Sequence, residues 1–231
     1  ASCLVGSEMC IRDRWYKRSI PEYATNLFAC GKDAGDCMFG GASYQIINNA
    51  IDVAAYTCDP TKRQEMRRQL DLTDELVIGH VGRFNPQKNH PFLLDIFTSL
   101  LKKEPDAVLL LVGGEGMPKI QAKAQELGIA ERVRFLGVRS DVADLMQAMD
   151  VFVFPSLYEG LPVTMVEAQA SGLPCIISDK VPPECILTEG LVNIMPLSAS
   201  SEAWAERILT MRAVPRTDRR AEIAAHGFDI T

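Results

Sequence analysis

From residue 76 onward the chain repeats one pattern: a short apolar run, a turn, an amphipathic stretch, another turn. Strand-like runs fall at residues 77–82, 107–112, 133–136, 150–155, 174–178 and 191–194. Helical stretches separate them at about 91–103, 117–127, 140–149, 162–171, 182–188 and 201–212. Runs that are apolar on both faces have no side to turn to water. Alternating with helices, they predict a parallel sheet covered on both faces. Punctuation agrees, with Pro91 and Pro162 at first-turn positions and Gly128 and Gly172 after helical stretches. The expected fold class is α/β, a Rossmann-like doubly wound parallel sheet.

Upstream, residues 24–52 read as strand, helix, strand, with Gly40-Gly41 stopping the helix. A linker follows near Asp59-Pro60, then a charged helix over residues 61–70. Residues 1–14 carry no strand or helix period and resemble translated sequencing-adapter sequence, so they are read as a non-native segment. Basic clusters at 62–68 and 216–220 read as solvated helix faces. The net charge of -6 over 231 residues argues against nucleic acid as a partner, which needs a basic field. No run reaches the roughly eighteen apolar residues of a membrane-spanning helix. The seven cysteines form no C-x-x-C pair and are odd in number, as expected of free thiols in a reducing cytoplasm. His80, His90 and His226 have no metal-ligand spacing, and His80 reads as a core residue.

Ligands of a doubly wound sheet bind outside the carboxyl ends of its strands. The loops to inspect are therefore 83–90, 113–117, 137–140, 156–162 and 179–183. The first holds Arg83 and Lys88 just past a strand end, where a guanidinium fork and an ammonium point charge can grip a diphosphate. The fourth runs through Glu159 and Gly160 into a helix beginning near Pro162 and carrying Glu167. The free amides of that helix start are a ready anion site, Gly160 allows close backbone approach, and either carboxylate can accept hydrogen bonds from sugar or ribose hydroxyls. Paired carboxylates also occur in glycosidases, but two cations and a helix terminus in the same crevice suit phosphate better. There is no G-x-G-x-x-G, P-loop or G-x-S-x-G elbow, and Gly113-Gly114-Glu115-Gly116 reads as a tight turn permitting close approach.

These residues resemble a known family. GRFNPQKN at 82–89 is similar to the G-R-x-x-x-x-K-N signature of family 4 glycosyltransferases of the GT-B fold. SLYEGLPVTMVEAQASGLPCIISD at 156–179 resembles that family's motif of two Glu with seven residues between them. VRFLGVRSDV at 133–142 resembles its base-binding segment, and IINNAIDV at 46–53 its N-G-[VI]-D stretch, with Ala50 in place of the usual Gly. The flavour is that of bacterial capsular or exopolysaccharide enzymes.

The resemblance implies two facing Rossmann-like domains, with a nucleotide-sugar donor, most simply a UDP-sugar, on the second and a glycan or lipid-linked acceptor on the first. Residues 15–58 would be the remnant of the acceptor domain and linker, and 59–231 the donor-binding domain, truncated at its end. Arg83 and Lys88 would stabilise the departing diphosphate. Glu159, with Gly82 and the Gly160, Leu161 and Pro162 turn, would face the donor's sugar and phosphates. Glu167 would hold the ribose, and Val138 and Arg139 would lie beside the base. The implied enzyme is retaining and cytoplasmic, with no cofactor or metal, and touches the inner face of the membrane through its first domain. By itself this chain is expected to bind donor weakly and transfer nothing. A nucleotide-sugar 2-epimerase, which would need a histidine such as His90 in the crevice, and a non-catalytic nucleotide-sugar-binding module are the alternatives.

Overall fold

The structure, a computed structural model, describes residue 20 and residues 22–230; the adapter-like segment at 1–14 lies outside the described residues. Strand β1 (Phe28–Ala29), helix Lys32–Phe39 and strand β2 (Gln45–Ile46) form a small parallel βαβ unit of their own, as the upstream pattern predicts. The main sheet holds β3 (Val77–Val81), β4 (Val108–Val112), β5 (Val133–Gly137), β6 (Val151–Phe154), β7 (Cys175–Ser178) and β8 (Val192–Met195). All are parallel, in the order β5-β4-β3-β6-β7-β8. This is the doubly wound order, in which the chain starts in the middle, works to one edge, returns and works to the other. The reversal places β3 beside β6.

Period-two alternation along the strands splits the core in two. Leu109 and Leu111 of β4 join Leu93, Phe97, Trp204 and Ile208 on one face. Val108, Leu110 and Val112 join Leu145, Phe152 and Met165 on the other. Both faces are dry because helices His90–Leu101 and Ser201–Met211 cover one, and Pro60–Gln69, Val142–Ala148 and Val163–Ala170 cover the other. Among the described residues no helix is long and apolar enough to cross a membrane.

Two expectations are corrected. The helix expected at 182–188 is only a 3-10 turn, Pro183–Cys185. Pro182 and Pro183 supply no amide hydrogens, and the buried Gln169 takes over the neighbouring backbone: its Nε2 donates to Cys185 O at 2.7 Å, and Leu187 N donates to its Oε1 at 2.8 Å. The basic clusters are not wholly solvated either. Arg63 and Arg67 converge on Asp150, and Arg67 also donates to the carbonyls of Thr73, Glu75 and Ala148. Arg216 clamps the carbonyls of Met146, Gln147, Met149 and Ser171. Carbonyls left at helix ends and turns need donors, and arginine supplies five from one side chain.

Residues 48–56 cross the main domain and are stitched to the chain's last described stretch. Asn48 donates to His226 O at 3.1 Å, and Ile51 bridges Asp229 in parallel. Ile51 and Val53 pack with Val166, Ala170, Ile223 and Phe228.

Candidate donor-binding site

The carboxyl ends of β3 and β6 lie side by side at the switch point, where a doubly wound sheet opens its ligand crevice, and both loops read from the sequence meet there. Beyond Gly82 the chain exposes Arg83, buries Phe84 and makes the 3-10 turn Pro86–Lys88, capped by Asn85, whose side chain accepts from Lys88 N at 3.2 Å. This turn aims Lys88 across the switch point. Its ammonium lies 2.7 Å from Glu159 Oε1 and 4.5 Å from the centre of the Phe154 ring. Gln87 reinforces the pair by donating to Glu159 Oε2 and to Tyr158 O, each at 3.0 Å. Leu157 N donates to Gln87 O at 2.8 Å. Lys88 and Glu159 are largely buried, with side chains 14% and 6% exposed, so each needs the other's charge. Arg83 is exposed and its side chain has no hydrogen bond or ion pair to another described residue, which leaves its fork available.

Helix Val163–Ala170 follows the Glu159 loop, with Pro162 as its N-cap and no side chain capping it. The amides of Val163 and Thr164 therefore have no intrahelical partner, and the space above Gly160 is open. Glu167, in the same helix, is half-buried and accepts from the Tyr56 hydroxyl at 2.7 Å. Val138, just past β5, is 83% exposed and touches the Gly114 turn. Beside it Arg139 is held by Asp141 at 2.7 Å.

Close approach of backbones occurs at the turn after β4. Gly113 has φ +154, and a Cβ there would stand 2.0 Å from Gly82 O. Gly82 N donates to Val112 O and Phe84 N to Gly114 O, so the two loops are stitched together.

Beneath the crevice lies an aromatic column. His90 stacks on Phe84 at 4.4 Å and meets His80 edge-on at 4.7 Å, and His80 stacks on Phe154 at 5.4 Å. His80 Nδ1 donates to Val153 O at 2.9 Å, which leaves Nε2 as a buried, unpartnered acceptor. His90 is 1% exposed, so it does not present its ring to the crevice as an epimerase would require. Burial holds both imidazoles neutral: His90 is depressed to about 4, with Lys88 adding to the effect, and His80 lies well below its usual value through burial and then His90. The unfolded chain therefore binds more protons once pH falls below ~6.5. Stability should be flat above that pH and fall below it by up to about 1.4 kcal/mol per pH unit for each imidazole, with the His90 share levelling off at pH about 4. Urea melts across this range, repeated on His90→Phe, check it; a slope that the substitution leaves unchanged would count against the neutral pair.

Gln87 and Tyr56, which hydrogen-bond to the two carboxylates, carry no charge by which the sequence would single them out. Gln87 lies inside the GRFNPQKN run, but nothing local in a neutral side chain reports a partner that far along the chain. A separate cavity of about 660 Å3 lies at the amino ends of the strands, lined by Arg63, Arg67, Asp150, Glu104 and Arg212. Its arginines are already paired, Arg63 and Arg67 with Asp150 and Arg212 with Glu104, and the topology directs ligands to the opposite end.

Fold and site together define a class, the Rossmann-like domains of GT-B glycosyltransferases, here with a buried ion pair at the switch point. The comparisons with known proteins give the family. The model for Glycosyl transferases group 1 matches residues 62–226, and the chain belongs to that family. It is 38% identical over 224 residues to EpsF of Bacillus subtilis (strain 168), named as a glycosyltransferase, covering 93% of this chain and 58% of that one. It is 33% identical over 147 residues to the UDP-Gal:alpha-D-GlcNAc-diphosphoundecaprenol alpha-1,3-galactosyltransferase of Escherichia coli, covering 62% of this chain and 38% of that one. Among solved structures, Anabaena Alr3699/HepE in complex with UDP-glucose superposes with a TM-score of 0.78 at 25% identity, over 94% of this chain and 63% of that one. The chain thus spans less than two thirds of the length of each.

Proposed function

We propose that this chain carries the donor site of a retaining glycosyltransferase of polysaccharide biosynthesis, which moves a sugar from UDP to a glycan or lipid-linked acceptor. The observation that carries this reading is the buried Lys88–Glu159 pair at the β3/β6 switch point, set beside an uncapped helix start. When the bond from the sugar's anomeric carbon to phosphate breaks, its electron pair stays on the diphosphate. Arg83, Lys88 and the Val163 and Thr164 amides then meet the added charge, with no metal assigned to the task. Glu159 keeps the ammonium in place before the donor arrives and faces the sugar afterwards. Glu167 accepts from the ribose, while Val138 supplies an apolar seat for the base and Arg139 borders it. The UDP named for two similar proteins supports the choice of base. Residues 59–231 form the donor domain in this reading, and 15–58 belong with the acceptor domain and linker. The site faces the cytoplasm, and membrane contact falls to the acceptor domain.

Isothermal titration with UDP, GDP and ADP tests the site. Arg83→Ala should weaken UDP by ~1–3 kcal/mol, the scale of a lost charged hydrogen bond. Lys88→Ala should weaken it more, because it also leaves Glu159 buried, unpaired and repelling phosphate. If both variants hold UDP as the parent does, the assignment fails. Sugar release from UDP-sugar on adding acceptor, assayed with an acceptor domain supplied, separates an enzyme from a binding module.

A further inference from the structure

The linker segment reaches the crevice at one point. Residues 48–56 cross helix Val163–Ala170, and there the Tyr56 hydroxyl donates to Glu167 Oε1 at 2.7 Å, across 111 positions of sequence. The ring is fixed without any ligand, since it packs against two core clusters at once, one containing Met165 and Cys185 and the other Ile51, Val166 and Phe228. The direction of the hydrogen bond is fixed as well: burial, then the carboxylate beside it, raises the Tyr56 phenol far above its usual range, so it keeps its proton and donates. Glu167 is pushed up by burial and pulled down by the Tyr56 hydrogen bond. No other hydrogen bond or ion pair to the Glu167 carboxylate occurs among the described residues.

The charges on the elements packed around Glu167 are taken up elsewhere. Glu159 is on Lys88. On and before helix Arg220–Ala225, Arg219 is on Glu222 and Arg220 is on Asp218. In the linker, Asp52 accepts from the Ala54 and Ala55 amides. Glu184, in the loop after β7, is exposed to solvent. Tyr56 is thus the group that decides how Glu167 stands.

We propose that Tyr56 is a positioning residue for nucleotide recognition: it ties down Oε1 of Glu167 and presents Oε2 to the ribose hydroxyls of a nucleoside diphosphate. This rests on the donor-site reading above, in which Glu167 accepts from ribose. A carboxylate with one oxygen fixed can present the other in a single direction, so less freedom is lost when the ribose arrives.

The test is titration of the whole chain and its Tyr56→Phe variant with UDP, 2′,3′-dideoxy-UDP and inorganic diphosphate, across roughly pH 5–8. The substitution keeps the ring, and a thermal melt verifies the fold. The expected result is UDP binding weakened about fivefold to tenfold, with the other two ligands unaffected. The acid limb of UDP binding should also move to higher pH, because Glu167 loses the hydrogen bond that favours its charged form. The ligand's own titration cancels between the two proteins. Equal affinities and superimposable pH profiles would overturn the proposal, and so would an equal loss of all three ligands, which marks packing alone. If the parent does not bind UDP, the donor-site reading has failed instead. The positioning is then still tested by carbon NMR titration of the Glu167 carboxyl, whose pKa must rise in the variant if Tyr56 holds it.

Discussion

Gly113→Ala is expected to abolish the proposed nucleoside diphosphate binding and to lower the melting temperature by about 10 °C, on the scale of a few degrees per kcal/mol for a domain of this size. Two costs add. Residue 113 sits at φ +154, where an L side chain is strained, and its Cβ would lie 2.0 Å from the backbone oxygen of Gly82. A carbon and an oxygen need well over an ångström more, and no flexible side chain is there to yield. Backbone strain and overpacking together amount to roughly 2–6 kcal/mol. Relief would have to come from moving the Gly82–Lys88 loop, which breaks the Phe84 N to Gly114 O hydrogen bond and draws Lys88 away from Glu159. Gly160→Ala is the control: a Cβ there meets nothing within 4 Å, so its melting temperature should match the parent's. Calorimetric scans and UDP titration of both variants decide the matter. A Gly113→Ala protein that melts and binds like the parent would refute the close packing of the two loops.

Arg67→Met should destabilise the fold by about 3–5 kcal/mol without a direct effect on the crevice, as expected when one partner leaves a buried ionic network. Arg67 is 8% exposed, and its guanidinium donates to Thr73 O at 2.7 Å, Glu75 O at 2.7 Å and Ala148 O at 3.0 Å besides facing Asp150. Asp150 in turn accepts from Val77 N at 2.7 Å at the start of β3. Methionine fills much of the volume but donates nothing, so several carbonyls lose their donor at once. Arg68, its neighbour in the same helix, is exposed. Arg68→Met should change stability by less than about 0.5 kcal/mol. Denaturant melts of the two variants separate a clamp from a solvated face, since a solvated face would make them equal.

The candidate site was legible in the sequence to the extent that chemistry and chain order carry it. Arg83 and Lys88 after one strand and Glu159 and Glu167 around one helix start stand out by residue type and position, whereas Val138 past β5 is singled out only by the family resemblance. The structure brings Lys88 against Glu159 and leaves Arg83 exposed, its side chain unpaired among the described residues. It places Glu167 with Tyr56, so the two carboxylates are supported separately. Gln87 and Tyr56 are not legible in the sequence because a neutral donor has no distinctive local signal; its meaning lies in the acceptor it finds.

The sequence by itself determined the α/β alternation, the strand positions to within a residue or two, and the end of the sheet where a ligand would lie. Those properties follow from local patterning: a segment apolar on both faces must be covered on both faces wherever it sits. Only the tertiary structure decided that Lys88 meets Glu159 across 71 positions, that Arg67 meets Ala148 across 81, and that Gln169 replaces a helix at 182–188 with side-chain hydrogen bonds. The reason is physical. A charge or a polar group is worth little in water and a great deal when buried, and burial belongs to the packed chain rather than to any stretch of it.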